Sequence, residues 1–198
     1  ITPGTCHICY CYTPMRYAWL FFDEYFGNQN PIVKKLISIL LWDLRRWDLA
    51  TNKGVDYFIA ISENVKERIK KFYNRDADVI YPPLDTEIFD FDGSVNTGDF
   101  YLVVSAFTPY KRVDIAIKAF NILGLPLIVI GDGPCEKELK DMARPNITFM
   151  EQSELKVLRY YYTRCRALIF PGEEDFGLVP LEAQACGRPV IAYGKGGV

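Results

Sequence analysis

Short apolar runs rich in Val and Ile alternate with amphipathic segments along almost the whole chain, and this alternation restricts the fold more than any other feature of the sequence. A run such as Leu127-Ile128-Val129-Ile130 leaves no polar face, so a strand built from it must be covered on both sides. Parallel strands in turn need long crossovers, which the amphipathic segments supply as helices. The expected class is α/β. Strands are expected at 7–12, 57–61, 78–81, 101–105, 127–130, 147–150, 167–170 and 189–193, and helices at 31–50, 63–73, 113–123, 135–143, 153–164 and 178–186.

Residues 91–99 break the pattern, because Asp, Gly, Ser, Asn and Thr gather there without periodicity. They read as a linker between a domain at 1–90 and a second at 100–198. The chain opens without an initiator Met or a signal-like apolar run, and the second alternation is still running at Gly196-Gly197-Val198. Both domains are therefore expected to be incomplete, the first lacking its opening elements and the second its closing ones.

Composition removes several function classes. A net charge of -2 gives no field that would favour a polyanion, so nucleic acid is not an expected partner. The six cysteines lack the dense even spacing of a disulfide scaffold, which favours a reducing, cytoplasmic setting. In Cys6-His7-Ile8-Cys9-Tyr10-Cys11, strand alternation puts Cys9 and Cys11 on one face and Cys6 on the other, with no second ligand pair, so no metal is expected. The stretch 31–53 mixes Ile32, Leu36, Ile39, Leu40, Trp42 and Trp47 with Lys34, Lys35, Arg45 and Arg46. Packing into a core is the favoured reading of it; peripheral attachment to the inner face of a membrane is the other. It is too often interrupted by charge to span a bilayer.

The strongest local signal runs from Phe170 to Pro189. An apolar strand leads through Pro171-Gly172-Glu173-Glu174-Asp175-Phe176-Gly177 into a helix starting at Leu178. Backbone N–H groups at Gly177, Leu178 and Val179 then point toward the C-terminal edge of the sheet, where a diphosphate can bind. Glu174 lies before this helix and Glu182 in its second turn, with seven residues between them. Ionised carboxylates accept hydrogen bonds only, which suits a ligand rich in hydroxyls. The structural alternative is that Glu173, Glu174 and Asp175 complement the helix dipole while Glu182 is solvated.

Thr108-Pro109-Tyr110-Lys111-Arg112 follows the strand at 101–105 and opens a helix, which places Lys111 and Arg112 at the same sheet edge. Cations are disfavoured at a helix start, so their presence there points to an anionic ligand. A charge-assisted contact from Lys111 to a diphosphate leaving group would contribute roughly 1.5–3 kcal/mol and strengthen as negative charge develops. Gly131-Asp132-Gly133-Pro134 makes a second glycine turn on this edge. A complete G-x-G-x-x-G and a Walker lysine are both absent, which counts against a dinucleotide oxidoreductase and a P-loop nucleotidase. Asp90-Phe91-Asp92 and Asp76-Ala77-Asp78 spell Asp-x-Asp but lie far from these motifs, and read as turn or edge residues.

In order and spacing these segments resemble glycosyltransferase family 4, whose donor domain pairs a Lys-Arg turn with two glutamates that have seven residues between them. The likeness extends upstream through Phe58 to Lys66 and Val79 to Asp85, and Cys9 to Tyr17 is similar to a segment of a mannosyltransferase-like subgroup. The resemblance implies a GT-B fold of two Rossmann-like domains with parallel sheets, a retaining hexosyl transfer, and a nucleoside-diphosphate sugar, GDP-mannose first, as donor substrate with no cofactor and no metal. It implies that Glu174 meets the donor sugar, Glu182 the ribose and Lys111 the diphosphate. Arg112, Gly131, Gly133, Asp175, Phe176, Gly177 and Leu178 would complete the donor site, with Tyr12 and Arg16 on the side of a glycan or glycolipid acceptor. Two positions depart from the family pattern: Ala106 stands where an arginine is often found, and Tyr12 where a histidine is common. A nucleotide-sugar-binding module without turnover is the first alternative, and a Rossmann oxidoreductase or epimerase the second.

Overall fold

The computed structural model describes residues 4–151 and 154–198, and the chain divides into two units, 1–82 with Gly197 and 83–196 with Val198. The start of the helix expected at 153–164 lies outside the described residues at Ser153.

In the first unit three parallel strands, β1 (Ile8–Cys11), β2 (Tyr57–Ala60) and β3 (Asp78–Val79), pair in the order β1-β2-β3, with Cys11 opposite Ala60 and Ala60 opposite Val79. Two short helices, α1 (Arg16–Trp19) and α2 (Phe22–Phe26), precede α3 (Pro31–Asn52), and α4 (Glu63–Tyr73) follows β2. The long helices start where side chains cap them. Asn30 accepts from the Val33 amide at 2.9 Å with Pro31 in the first turn, and Ser62 accepts from the Val65 amide at 3.1 Å. Burial of Val65 and Ile69 on α4 with Phe58 and Ala60 on β2 holds this layer, each large side chain adding roughly 1.5–3 kcal/mol.

The core-packing reading of α3 is corrected. Ile32, Leu36, Ile39, Leu40, Trp42 and Trp47 are all exposed, and only Leu41 and Asp48 of this helix are buried. Their seven-residue spacing defines one narrow seam, along which the Trp19 indole donates to Asp48 at 2.8 Å; apolar residues elsewhere on the circumference have nothing to pack on in this unit. Among the described residues no helix is long and apolar enough to cross a membrane.

The second unit is built on five parallel strands, β4 (Tyr101–Val104), β5 (Leu127–Ile130), β6 (Ile147–Met150), β7 (Leu168–Phe170) and β8 (Val190–Ala192), in the order β6-β5-β4-β7-β8. Neighbouring residues on a strand enter different cores, as a pleat requires. Leu102 and Ile130 join one buried cluster with Leu158 and Tyr162 of α7 (Leu155–Arg164) and Ala183 of α8 (Leu178–Ala185). Val103 and Val129 join the other, with Val113, Ile117 and Phe120 of α5 (Val113–Leu123) and Leu139 of α6 (Glu136–Met142). One helix pair thus covers each face. The chain winds outward from β4 through β5 to β6, then returns to the far side of β4 and winds through β7 to β8; crossovers of one hand put the two helix pairs on opposite faces. The reversal lies between β4 and β7, paired at Leu102 and Leu168.

Residues 91–99, read from sequence as the linker, lie within the second unit, beyond the division at 82/83. The Gly98 amide donates to the Arg164 carbonyl at 2.7 Å, and Asp92 accepts from the Ser94 amide at 3.0 Å, so polar composition here reflects a hydrogen-bonded turn lying against α7. Asp90 is paired with Arg159 and Asp76 with Lys70, which accounts for one acid of each Asp-x-Asp pair.

Candidate functional site

In a doubly wound sheet the loops leaving the two strands at the reversal part in opposite directions, and an opening forms at their C-terminal ends. Here those loops are 105–112 after β4 and 171–177 after β7, the segments carrying Lys111 and Glu174.

The first loop is held by its neighbour. The Phe107 amide donates to the Asp132 carbonyl at 2.6 Å, and the Phe107 carbonyl accepts from the Cys135 amide at 3.0 Å. This interlock needs glycine at 131 and 133. A Cβ on Gly131 would stand 1.9 Å from the Ser105 carbonyl oxygen, one on Gly133 would stand 2.8 Å from that of Phe107, and both residues have a positive φ. Gly131 and Gly133 therefore act on the site through the backbone of 105–107. Ala106, between these contacts, is exposed.

A 3₁₀ turn at Pro109–Lys111 and a left-handed Arg112, φ 53°, bring the chain into α5. The two cations then diverge. Arg112 directs its guanidinium at Asp114, Nε to Oδ1 3.1 Å, and Lys118 binds the same carboxylate at 2.9 Å. Lys111 makes an ion pair with Glu174, and the two side chains keep only 20% and 10% of their surface exposed. The backbones that carry them meet as well, since Gly172 lies so close to Lys111 that a Cβ would sit 2.8 Å from its carbonyl oxygen. The lysine and glutamate motifs read separately from sequence thus share one place.

Past Glu174 the chain passes the buried Asp175 and the half-buried Phe176, then turns into α8 through Gly177, φ 94°, which as N-cap has no side chain to offer. The first turn therefore has no side-chain cap, and Pro180 lacks an N–H. Glu182, in the next turn, accepts from the Tyr162 hydroxyl at 2.7 Å. Burial pushes the Glu182 carboxyl above its ordinary range, opposed by that hydrogen bond, and burial beside Glu182 raises the Tyr162 phenol.

Three further features were not picked out in the sequence. Thr108 Oγ1 is buried without a hydrogen-bond partner at the start of the Lys111 turn. Lys195 pairs with Glu173 at 2.9 Å, and Gly196 bridges Glu174 so closely that a Cβ there would stand 2.3 Å from the Glu174 carbonyl oxygen. The glycines around Lys195 were the available signal for that approach. Tyr162 carried none, being one of three consecutive tyrosines. Tyr12 and Arg16 belong to the first unit: Tyr12, exposed, follows β1 with its ring edge-on to Tyr10 at 5.6 Å, and Arg16 begins α1. Among the described residues no group of three or more His, Cys, Asp or Glu side chains is arranged to hold a metal ion.

Residues 85–198 match the family described as glycosyl transferases group 1. Among curated proteins, an uncharacterised glycosyltransferase of Methanocaldococcus jannaschii is 32% identical over 148 residues, covering 72% of this chain and 41% of that protein. The O-antigen chain mannosyltransferase of Salmonella typhimurium is 28% identical, covering 70% of this chain and 42% of that protein. The chain therefore spans about two fifths of the length of these relatives. A solved structure of Anabaena HepE, in complex with UDP and glucose, superposes with a TM-score of 0.68 at 21% identity, over 77% of this chain and 48% of that one. At that identity the likeness is one of fold, the GT-B arrangement.

Proposed function

The chain belongs to the glycosyl transferases of group 1, and from that premise we propose that the protein transfers a hexose from a nucleoside-diphosphate sugar to a glycan or lipid-linked acceptor, with retention of configuration and without a metal. The Lys111–Glu174 ion pair at the strand reversal is the observation that carries this reading. A cation and an acceptor-only carboxylate, mostly shielded from water, are the two groups needed at the junction between a pyrophosphate and a sugar.

In this pair each group holds the other's charge. When the donor enters, Lys111 exchanges Glu174 for the β-phosphate, and Glu174 becomes free to accept from sugar hydroxyls. As the bond from the anomeric carbon to the phosphate oxygen breaks, its electron pair stays with the nucleoside diphosphate, the acceptor hydroxyl oxygen bonds to that carbon on the same face and gives its proton to the leaving phosphate, and Lys111 with the first-turn amides of α8 receives the developing negative charge. Glu182 would hold the ribose. Arg112, committed to Asp114, contributes by fixing the start of α5. Mannose is the donor sugar we favour, supported by the O-antigen chain mannosyltransferase relative.

The test is transfer by the full-length protein with radiolabelled GDP-mannose and UDP-glucose, offered with lipid-linked and free glycan acceptors, with and without chelator. Labelled product of retained anomeric configuration, formed equally with chelator, is expected. Donor binding with neither transfer nor hydrolysis would reduce the protein to a nucleotide-sugar-binding module.

A further inference from the structure

Tyr162 is fully buried, with 0% exposure, inside the apolar cluster that α7 and α8 share beneath the sheet. A phenol there needs a partner for its hydroxyl, and it has one in Glu182 Oε2 at 2.7 Å. The ring has no room to turn away, because Phe89 meets it edge-on at 5.8 Å and Leu168, Phe170 and Ala183 belong to the same cluster. Glu182 has a flexible side chain and is only partly buried, so its orientation is not set by packing alone. Among the described residues no donor reaches its other oxygen, Oε1.

We propose that Tyr162 is a positioning residue for the donor nucleotide: by holding Oε2 of Glu182 it presents Oε1 to a ribose hydroxyl. The inference rests on the proposed donor site and deepens it. A carboxylate fixed at one oxygen from a rigid core loses its rotational freedom before the ligand arrives, so the ribose meets an acceptor already in place. Specificity for ribose over deoxyribose is the property this arrangement controls.

The experiment measures the Kd of GDP and UDP, and of their 2′,3′-dideoxy analogues, by calorimetry on the wild type and on Tyr162→Phe. The wild type is expected to prefer the ribose forms by about tenfold or more, the effect of one hydrogen bond to a charged acceptor. Tyr162→Phe is expected to cut that preference to about threefold or less while leaving the dideoxy affinities unchanged. A preference as large as the wild type's, or an equal loss for both ligand forms, overturns the proposal. Absence of any preference in the wild type overturns the assignment of Glu182 to ribose as well. Should Tyr162→Phe not fold, Glu182→Gln decides: with its amide oxygen held by Tyr162, the side chain offers the ribose a neutral NH2 donor in place of a charged acceptor, and the preference is expected to fall to about threefold or less. A preference in Glu182→Gln as large as the wild type's overturns the proposal.

Discussion

Gly172 lies against the backbone of Lys111, where an added Cβ would be 2.8 Å from the carbonyl oxygen and 3.0 Å from Cα. The glycine after β7 therefore sets where the lysine after β4 can stand. Gly172→Ala is expected to push the Lys111 turn away from Glu174 and weaken nucleoside-diphosphate affinity about tenfold, the loss of one charge-assisted contact. Calorimetric titration with GDP and UDP checks this, and unchanged affinity for both would separate Lys111 from the ligand.

The Lys111–Glu174 pair is mostly buried, so removing one partner strands the other. Glu174→Ala is expected to destabilise the protein by about 3 kcal/mol, and Lys111→Met with Glu174→Leu together by much less, since no uncompensated charge remains. Urea denaturation of wild type, single and double variants measures the coupling. Additive effects would show that the charges do not interact.

Glu182 gives a pH signature. Its carboxyl is raised in the folded protein by burial above all, so its contribution favours the fold at low pH, where it is neutral in both states. That contribution is lost as pH rises from the unfolded value of about 4.3 through the higher folded value. Glu182→Gln is expected to gain stability relative to wild type across that rise, followed by thermal melts at several pH values. Donor affinity of the wild type should move the opposite way, strengthening as the carboxylate ionises. A stability difference independent of pH would contradict the raised value.

Gly131 couples β5 to the loop after β4, with a positive φ and the Ser105 carbonyl where a Cβ would lie. Gly131→Ala is expected to cost about 2–4 kcal/mol through backbone strain and overlap together. Chemical denaturation reads this directly, and a neutral result would mean that the two loops separate at little cost.

Most of the strands among the described residues were legible as short apolar runs that a two-sided sheet must bury, β3 with only Asp78 and Val79 being the exception, and the main helices as the amphipathic segments between them. Helices α1 and α2 were not, since four and five residues give too little length for a period to show. The burial of α3 was misread for a related reason. Composition reports how much apolar surface a helix has, and only its neighbours determine how much is covered. At the site, Lys111 and Glu174 could be nominated from their places at strand ends. Their meeting depends on β4 pairing with β7 across more than sixty residues of chain, and Tyr162 depends on which face of α7 meets α8. Neither relation has a local sequence signal.

Helices α5 and α8 both begin just beyond the tips of adjacent parallel strands, so their amino ends look out over the same rim of the sheet. Each brings about half a positive charge that belongs to the peptide groups. This potential cannot be titrated by acid or base and survives any side-chain replacement that leaves the helices intact. An anion arriving between the two would feel attraction even while Glu174 cancels Lys111, and a residual, pH-insensitive hold on phosphate should outlast the loss of either residue.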